Sequence, residues 1–119
     1  MRILIFLGLL FSLAPLANAA DGQPTVQITK VIKGKQGKLT VLDFFIKASD
    51  SDGIAKIEYR AAVDGKRSDW VKYPYYDIPG YVNHLPFRVD CHTFIFEVRS
   101  IDKTRTKSRI VKRTFTDLP

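Results

Sequence analysis

The 119-residue sequence contains a single cysteine, Cys91, which excludes a disulfide bond within the chain. The fold must therefore be held together by packing rather than by covalent links, and about 100 residues are enough for a core of that kind. Because Cys91 precedes a strongly apolar stretch, we expect its thiol to be buried as a small hydrophobic group. A free reactive thiol is the alternative.

Glutamate is also scarce, since it occurs only at Glu58 and Glu97, and most acidic residues are aspartates in turn-like segments. No pair of carboxylates stands out for glycoside hydrolysis. No glycine-rich turn frames Cys91 as a nucleophile beside His84. His92 is adjacent to Cys91, so the two side chains point to opposite faces of a strand and disfavour a soft-metal site. We therefore expect no enzyme activity and no cofactor.

Long apolar runs are absent after the first twenty residues. Met1 and Arg2 are followed by the apolar run ILIFLGLLFSLAPLA and by a small-x-small segment at Ala17 to Ala19. This pattern predicts a cleaved signal peptide over residues 1–19. A membrane anchor is the alternative, although the run is short for a bilayer and is interrupted near its end. We expect an exported chain, periplasmic or else extracellular, with no membrane span after cleavage.

Beyond the leader, residues 20–24 read as a flexible start and residues 25–119 as one domain. Apolar residues recur with period two and never for long with period 3.6, which indicates strands rather than helices. The clearest stretches are residues 38–49 and 91–102, and turn chemistry separates them: Asp50 to Gly53, and Asp64–Gly65. About seven short strands of this kind predict an all-β, antiparallel β-sandwich.

The segment ASDSDGIAKIEYR, a later Asp-Gly pair, a Trp followed by Tyr-Pro, and FEVRSIDK resemble motifs of bacterial immunoglobulin-like and fibronectin type III-like domains of exported proteins. The resemblance covers residues 26–115 and implies an immunoglobulin-like sandwich that serves as a structural or binding module. It also implies that Trp70 and Tyr73 fill the space between the sheets. The DKTRTKS segment departs from these domains, because it lacks the Gly and Asn of their last turn.

Two features are candidates for ligand binding. The first is the aromatic loop that follows Pro74, where exposed rings could stack on sugars or form a protein-binding hot spot, although core or edge cover is the alternative. The second is a basic stripe that would share one face if the chain were extended there, or else would keep an edge soluble. The candidate residues are Tyr75, Tyr76, Tyr81, Lys103, Arg105, Lys107 and Arg109.

A third feature is the acidic turn, in which Asp50 and Asp52, together with Asp102, could gather oxygen atoms around Ca²⁺. These are weak metal candidates, because no bidentate glutamate is nearby and an Asp-x-Asp-Gly turn forms without metal. The sequence therefore predicts no metal site.

The formal net charge of +7 fits an exported protein that contacts anionic envelope polymers, and it equally fits simple solubility. We expect a binding module for another envelope or exported protein. A small domain that binds carbohydrate or an anionic polymer is the alternative. Export makes nucleic acid an improbable partner.

Overall fold

The structure, a computed structural model, describes residues 23–119. The leader predicted for residues 1–19 and the first part of the start predicted for residues 20–24 lie outside this range. Eight strands and no helix occur among the described residues. The strands are β1 (Thr25–Gln36), β2 (Leu39–Ser49), β3 (Ile54–Val63), β4 (Lys66–Arg67), β5 (Val71–Pro74), β6 (Asn83–Val89), β7 (Phe94–Asp102) and β8 (Val111–Phe115).

The strands form two antiparallel sheets. The first sheet has the order β1-β2-β6, and the second has the order β4-β3-β7-β8, with β5 also paired to β3. The prediction of an all-β fold with two antiparallel sheets is confirmed. Within residues 23–119, no helix is long and apolar enough to cross a membrane.

The core lies between the sheets and is built by alternation along the two central strands. Leu42, Phe44, Ile46 and Ala48 on β2 are all buried, and so are Phe94, Phe96, Val98 and Ser100 on β7. Both inward faces were predicted from the period-two pattern, since strands that pack on one side bury every second residue. Cys91 is buried at the rim of this core, as expected, and burial raises the pKa of its thiol, with smaller contributions from the charges of Asp64 and Asp90.

Phenylalanine rings join the two sheets. The rings of Phe44 on β2 and Phe96 on β7 stack with centroids 4.1 Å apart and an interplanar angle of 18°. Phe87 on β6 contacts Phe44 edge-on at 5.8 Å, and it also contacts Phe94 at 5.5 Å. These rings carry no polar atom, so their burial leaves no hydrogen bond unmade.

The Asp64–Gly65 pair makes the predicted tight hairpin between β3 and β4. Val63 pairs with Lys66, and both turn residues have positive φ, 48° and 88°. Two residues with φ > 0 define the type I′ geometry that matches the twist of paired strands. The Asp64 carboxylate also accepts hydrogen bonds from the backbone N–H groups of His92 and Thr93, at 2.9 and 2.8 Å. The hairpin tip is thereby tied to the segment that leads into β7.

Strand β6 includes a proline, Pro86. A proline inside a strand normally argues against the strand, since it has no N–H for the ladder. Here β6 pairs only with β2, and Pro86 lies opposite Asp43 on this edge strand. An edge strand needs backbone donors on one side only, so the proline is tolerated.

Replacing Ile57 by alanine should lower the free energy of unfolding by about 2–5 kcal/mol, because the side chain is only 1% exposed and its loss leaves a cavity. The matched control is Ile32→Ala, in which the same atoms are removed from a side chain that is 51% exposed. That control should cost below about 1 kcal/mol. Urea denaturation measures both changes, and equal losses would contradict the assignment of the inward face of β3.

The pKa of the Asp64 carboxyl is lowered, chiefly by the hydrogen bond from the Thr93 N–H and further by the His92 N–H and charge, against a smaller opposing effect of desolvation. A carboxyl with a depressed folded-state pKa stabilises the fold above its unfolded value, near 3.9, and that contribution is lost as the pH falls through the folded pKa. Asp64→Asn, which tolerates the same φ, should therefore reduce the acid sensitivity of stability below about pH 4. Asp69→Asn, at an exposed site, is the matched control: the same change of acid sensitivity in both variants would contradict the role given to the hydrogen bonds from His92 and Thr93.

Candidate functional site

The aromatic loop connects β5, on the edge of the second sheet, to β6, on the edge of the first. We call residues 75–82 the tyrosine loop. Four of its large side chains are about half exposed: Tyr76 at 47%, Ile78 at 57%, Tyr81 at 53% and Val82 at 55%. The rings of Tyr76 and Tyr81 meet edge to face, with centroids 5.5 Å apart. The loop thus presents two contacting aromatic rings and two aliphatic side chains to solvent.

Tyr75 anchors this loop instead of lying free on the surface. Its hydroxyl oxygen accepts a hydrogen bond from the Ala48 N–H at 3.0 Å, and the hydroxyl donates to the Ala48 carbonyl at 3.2 Å. The pairing of β2 with β6 ends at Ile46 and Asn83. The Tyr75 hydroxyl therefore forms the hydrogen bonds of backbone groups farther along β2, those of Ala48. Its ring packs against the core.

Asn83 and a tight turn hold the rest of the loop. The Asn83 side chain accepts from the Tyr76 N–H at 3.0 Å and donates to the Tyr76 carbonyl at 2.9 Å. The Tyr81 N–H donates to the Ile78 carbonyl at 2.9 Å across Pro79–Gly80, and Gly80 has a φ of 82°. Proline followed by a glycine with positive φ is the signature of a type II turn. The loop is therefore ordered by its own hydrogen bonds before any ligand binds.

A cleft of about 340 Å³ lies between this loop and strands β1 and β2 of the first sheet. Thr29, Ile46 and Lys47 form one wall, and the tyrosine loop with Asn83 forms the other. Much of its lining is apolar or aromatic, and Lys47 and Asp77 are its charged side chains. Tyr75, Tyr76 and Tyr81, the three predicted aromatic candidates, all lie on this cleft.

The chain is not extended over the basic stripe, so the condition under which its cations would share one face is not met. Asp102 accepts hydrogen bonds from the N–H groups of Thr104 and Thr106, both at 2.8 Å, and this contact turns the chain directly after β7. Arg105 has a φ of 72°, and regular pairing resumes at Val111. The predicted cations Lys103, Arg105, Lys107 and Arg109 are all exposed, but they lie on a turn and a loop rather than along one face of a strand.

Trp70 does not fill the space between the sheets, so that expectation is wrong. Its half-buried ring covers the outer face of the second sheet, with its centroid 4.3 Å from the Arg60 guanidinium carbon and 4.0 Å from that of Arg99. Tyr73 is 40% exposed on β5 and contacts Tyr59 at 6.2 Å. β5 is an edge strand that pairs with β3. Trp70 directly precedes Val71, and successive side chains point to opposite faces of a strand, so the indole points away from the core.

Both glutamates of the chain lie beneath this indole. Glu58 pairs with Arg99 at 2.8 Å, and Glu97 pairs with Arg60 at 2.6 Å, each across the β3–β7 ladder. The Glu58 side chain is 9% exposed and that of Glu97 is 12% exposed. The sequence analysis did not include this cluster among its predictions, although the alternation of Glu58 with Arg60 and of Glu97 with Arg99 was its signal. Both carboxylates are paired with a guanidinium group of the neighbouring strand.

The predicted acidic residues do come together. Asp50, Asp52 and Asp102 each place one carboxylate oxygen within 4.8 Å of the others, at the end of the fold where β2 turns into β3. Asp50 also shapes its own turn, because its carboxylate accepts from the Asp52 N–H at 2.9 Å. Cys91 is buried, His92 is exposed, and the exposed His84 pairs with Asp43 at 2.9 Å on the outer face of the first sheet.

Replacing Arg99 by alanine should lower the free energy of unfolding by about 3 kcal/mol, because the nearly buried Glu58 carboxylate would lose its partner. The same change should increase acrylamide quenching of Trp70, the only tryptophan, since one of the two groups beneath its ring is removed. Arg88→Ala, on the other sheet, is the control and should cost below about 1 kcal/mol without changing the quenching. Unchanged quenching in Arg99→Ala would contradict the placement of the indole.

Comparison with known proteins finds no matching family model, no matching curated protein and no matching solved structure.

Proposed function

We propose that the chain is an exported, non-enzymatic binding module with an immunoglobulin-like sandwich, and that the tyrosine loop binds a protein partner. The strand order supports the fold assignment. One sheet holds the first, second and sixth strands, and the other holds β3, β7 and β8 with the short strands β4 and β5 at its edge. Immunoglobulin-like sandwiches divide their strands in a comparable way.

The observation that carries the proposal is that the exposed rings of Tyr76 and Tyr81 are held in place before binding. The hydroxyl of Tyr75, the amide of Asn83 and the Pro79–Gly80 turn fix the backbone on both sides of them. A preordered surface loses little conformational entropy on association. Tyrosine is enriched at binding hot spots because it buries a large area with few rotatable bonds.

The chemistry beside the rings favours a protein over a sugar. A sugar-binding site needs polar side chains next to the stacked ring to bond the hydroxyl groups. On the cleft, the amide of Asn83 is already committed to both backbone groups of Tyr76, and the Thr29 hydroxyl donates to the Phe45 carbonyl. Lys47 and Asp77 are the charged side chains that remain beside the rings. Ile78 and Val82 add exposed aliphatic area that suits an apolar contact with a protein. The dispersal of the basic stripe over a turn also weakens the alternative of an anionic polymer.

The double variant Tyr76→Ser/Tyr81→Ser tests the proposal, with Tyr73→Ser as the control because that tyrosine is exposed but lies on β5. The processed chain is immobilised, and envelope extracts and a glycan array are applied at low and high salt. We expect one defined protein to be retained by the wild type and the control. The double variant should lose binding about tenfold or more.

Retention of that protein by the double variant would exclude the tyrosine loop as the binding surface. Tyrosine-dependent binding to glycans, with no protein retained, would instead support the carbohydrate-binding alternative. Binding that collapses at high salt and ignores the tyrosines would point to the scattered cations, because exposed charges are screened by salt.

A further inference from the structure

The acidic cluster at the β2–β3 turn contains a polar atom without a partner. Asp102, at the end of β7, is 1% exposed. Its Oδ1 accepts three hydrogen bonds, from the Thr104 N–H at 2.8 Å, the Thr104 hydroxyl at 2.7 Å and the Thr106 N–H at 2.8 Å. Its Oδ2 is buried and has no hydrogen-bond partner among residues 23–119. Buried carboxylate oxygens are rarely left unsatisfied, because the desolvation cost is then not recovered.

The Asp102 carboxyl group lies beside the other two aspartates. Asp50 is a side-chain neighbour of this carboxyl group, and one ligand oxygen from each of Asp50, Asp52 and Asp102 lies within 4.8 Å of the others. The spacing suits one ion bridging several oxygen atoms.

Lys103 lies at the same turn. Its N–H donates to the Gly53 carbonyl at 3.2 Å, and the end of its side chain, including the ammonium group, packs over Gly53. Among residues 23–119, Lys103 forms no ion pair with Asp50, Asp52 or Asp102.

We infer that Asp50, Asp52 and Asp102 bind a calcium ion, with the otherwise unpartnered Oδ2 of Asp102 as its buried ligand. Calcium takes six to eight oxygen ligands in irregular geometry, so three carboxylates and water suffice. Magnesium demands a near-ideal octahedron and gives up its water reluctantly. Three carboxylates on two chain segments resemble the weaker extracellular class of site, with a Kd of about 0.1–1 mM.

The test is titration of the chelator-treated protein with CaCl₂ and, separately, with MgCl₂, followed by isothermal calorimetry and thermal unfolding. We expect calcium to raise the melting temperature at millimolar concentration, because a ligand that binds only the folded state stabilises it. Magnesium should do so much less. Asp52→Asn, at an exposed turn position, should weaken calcium binding about tenfold or more while the chain still folds.

Asp69→Asn, an exposed aspartate outside the cluster, is the matched control and should bind calcium as the wild type does. The inference is overturned if millimolar calcium gives neither heat nor a shift in melting temperature, or if Asp52→Asn and the wild type respond equally. The tyrosine variant changes none of the three aspartates, so loss of partner binding in that variant would not count against the calcium site.

Discussion

The stacked contact between Phe44 and Phe96 brings the two sheets together at the centre of the molecule, where both side chains are 0% exposed. Phe87, Phe94 and Phe115 surround Phe44, so a phenylalanine cluster links β2, β6, β7 and β8. Rings without polar atoms can be buried completely at no hydrogen-bonding cost. With no disulfide to assist, the fold depends on this cluster, and the indole and several phenols lie at its edges or outside it.

The outer face of the second sheet is closed in a different way. Glu58 and Glu97 are paired with arginines across β3 and β7, and Trp70 covers both guanidinium groups. An arginine that is both ion-paired and beneath an aromatic ring has little left to offer a ligand. These charged groups are therefore engaged with one another and with the indole, whereas the rings of the tyrosine loop are exposed to solvent. The contrast explains why the candidate binding surface is a loop, even though the richest set of charges is on the sheet.

The sequence predicts the central strands well and the edges poorly, for a physical reason. On β2 and β7 every second residue meets the opposite sheet, so period two identifies the buried faces directly. The core position of Trp70 was implied by the resemblance and not by the period, and it is wrong because the register of the edge strand β5 with β3 puts the indole on the outer face, over Arg60. The cations of the basic stripe would share a face only in an extended chain, and the Asp102 carboxylate instead accepts hydrogen bonds from the N–H groups of Thr104 and Thr106 and turns the chain. Tertiary contacts of that kind are not visible in a local pattern.

The last residues of β2 connect the two candidate sites. Ala48 gives both backbone groups to the hydroxyl of Tyr75, and Asp50, two residues later, provides a carboxylate to the acidic cluster. An ion that orders the turn after Asp50 would also order the strand end that anchors the tyrosine loop. Partner binding at the loop would then strengthen calcium binding by the same factor, because coupling between two sites is reciprocal. The short segment from Ala48 to Asp50 is therefore the element that the proposed calcium site and the proposed binding loop share.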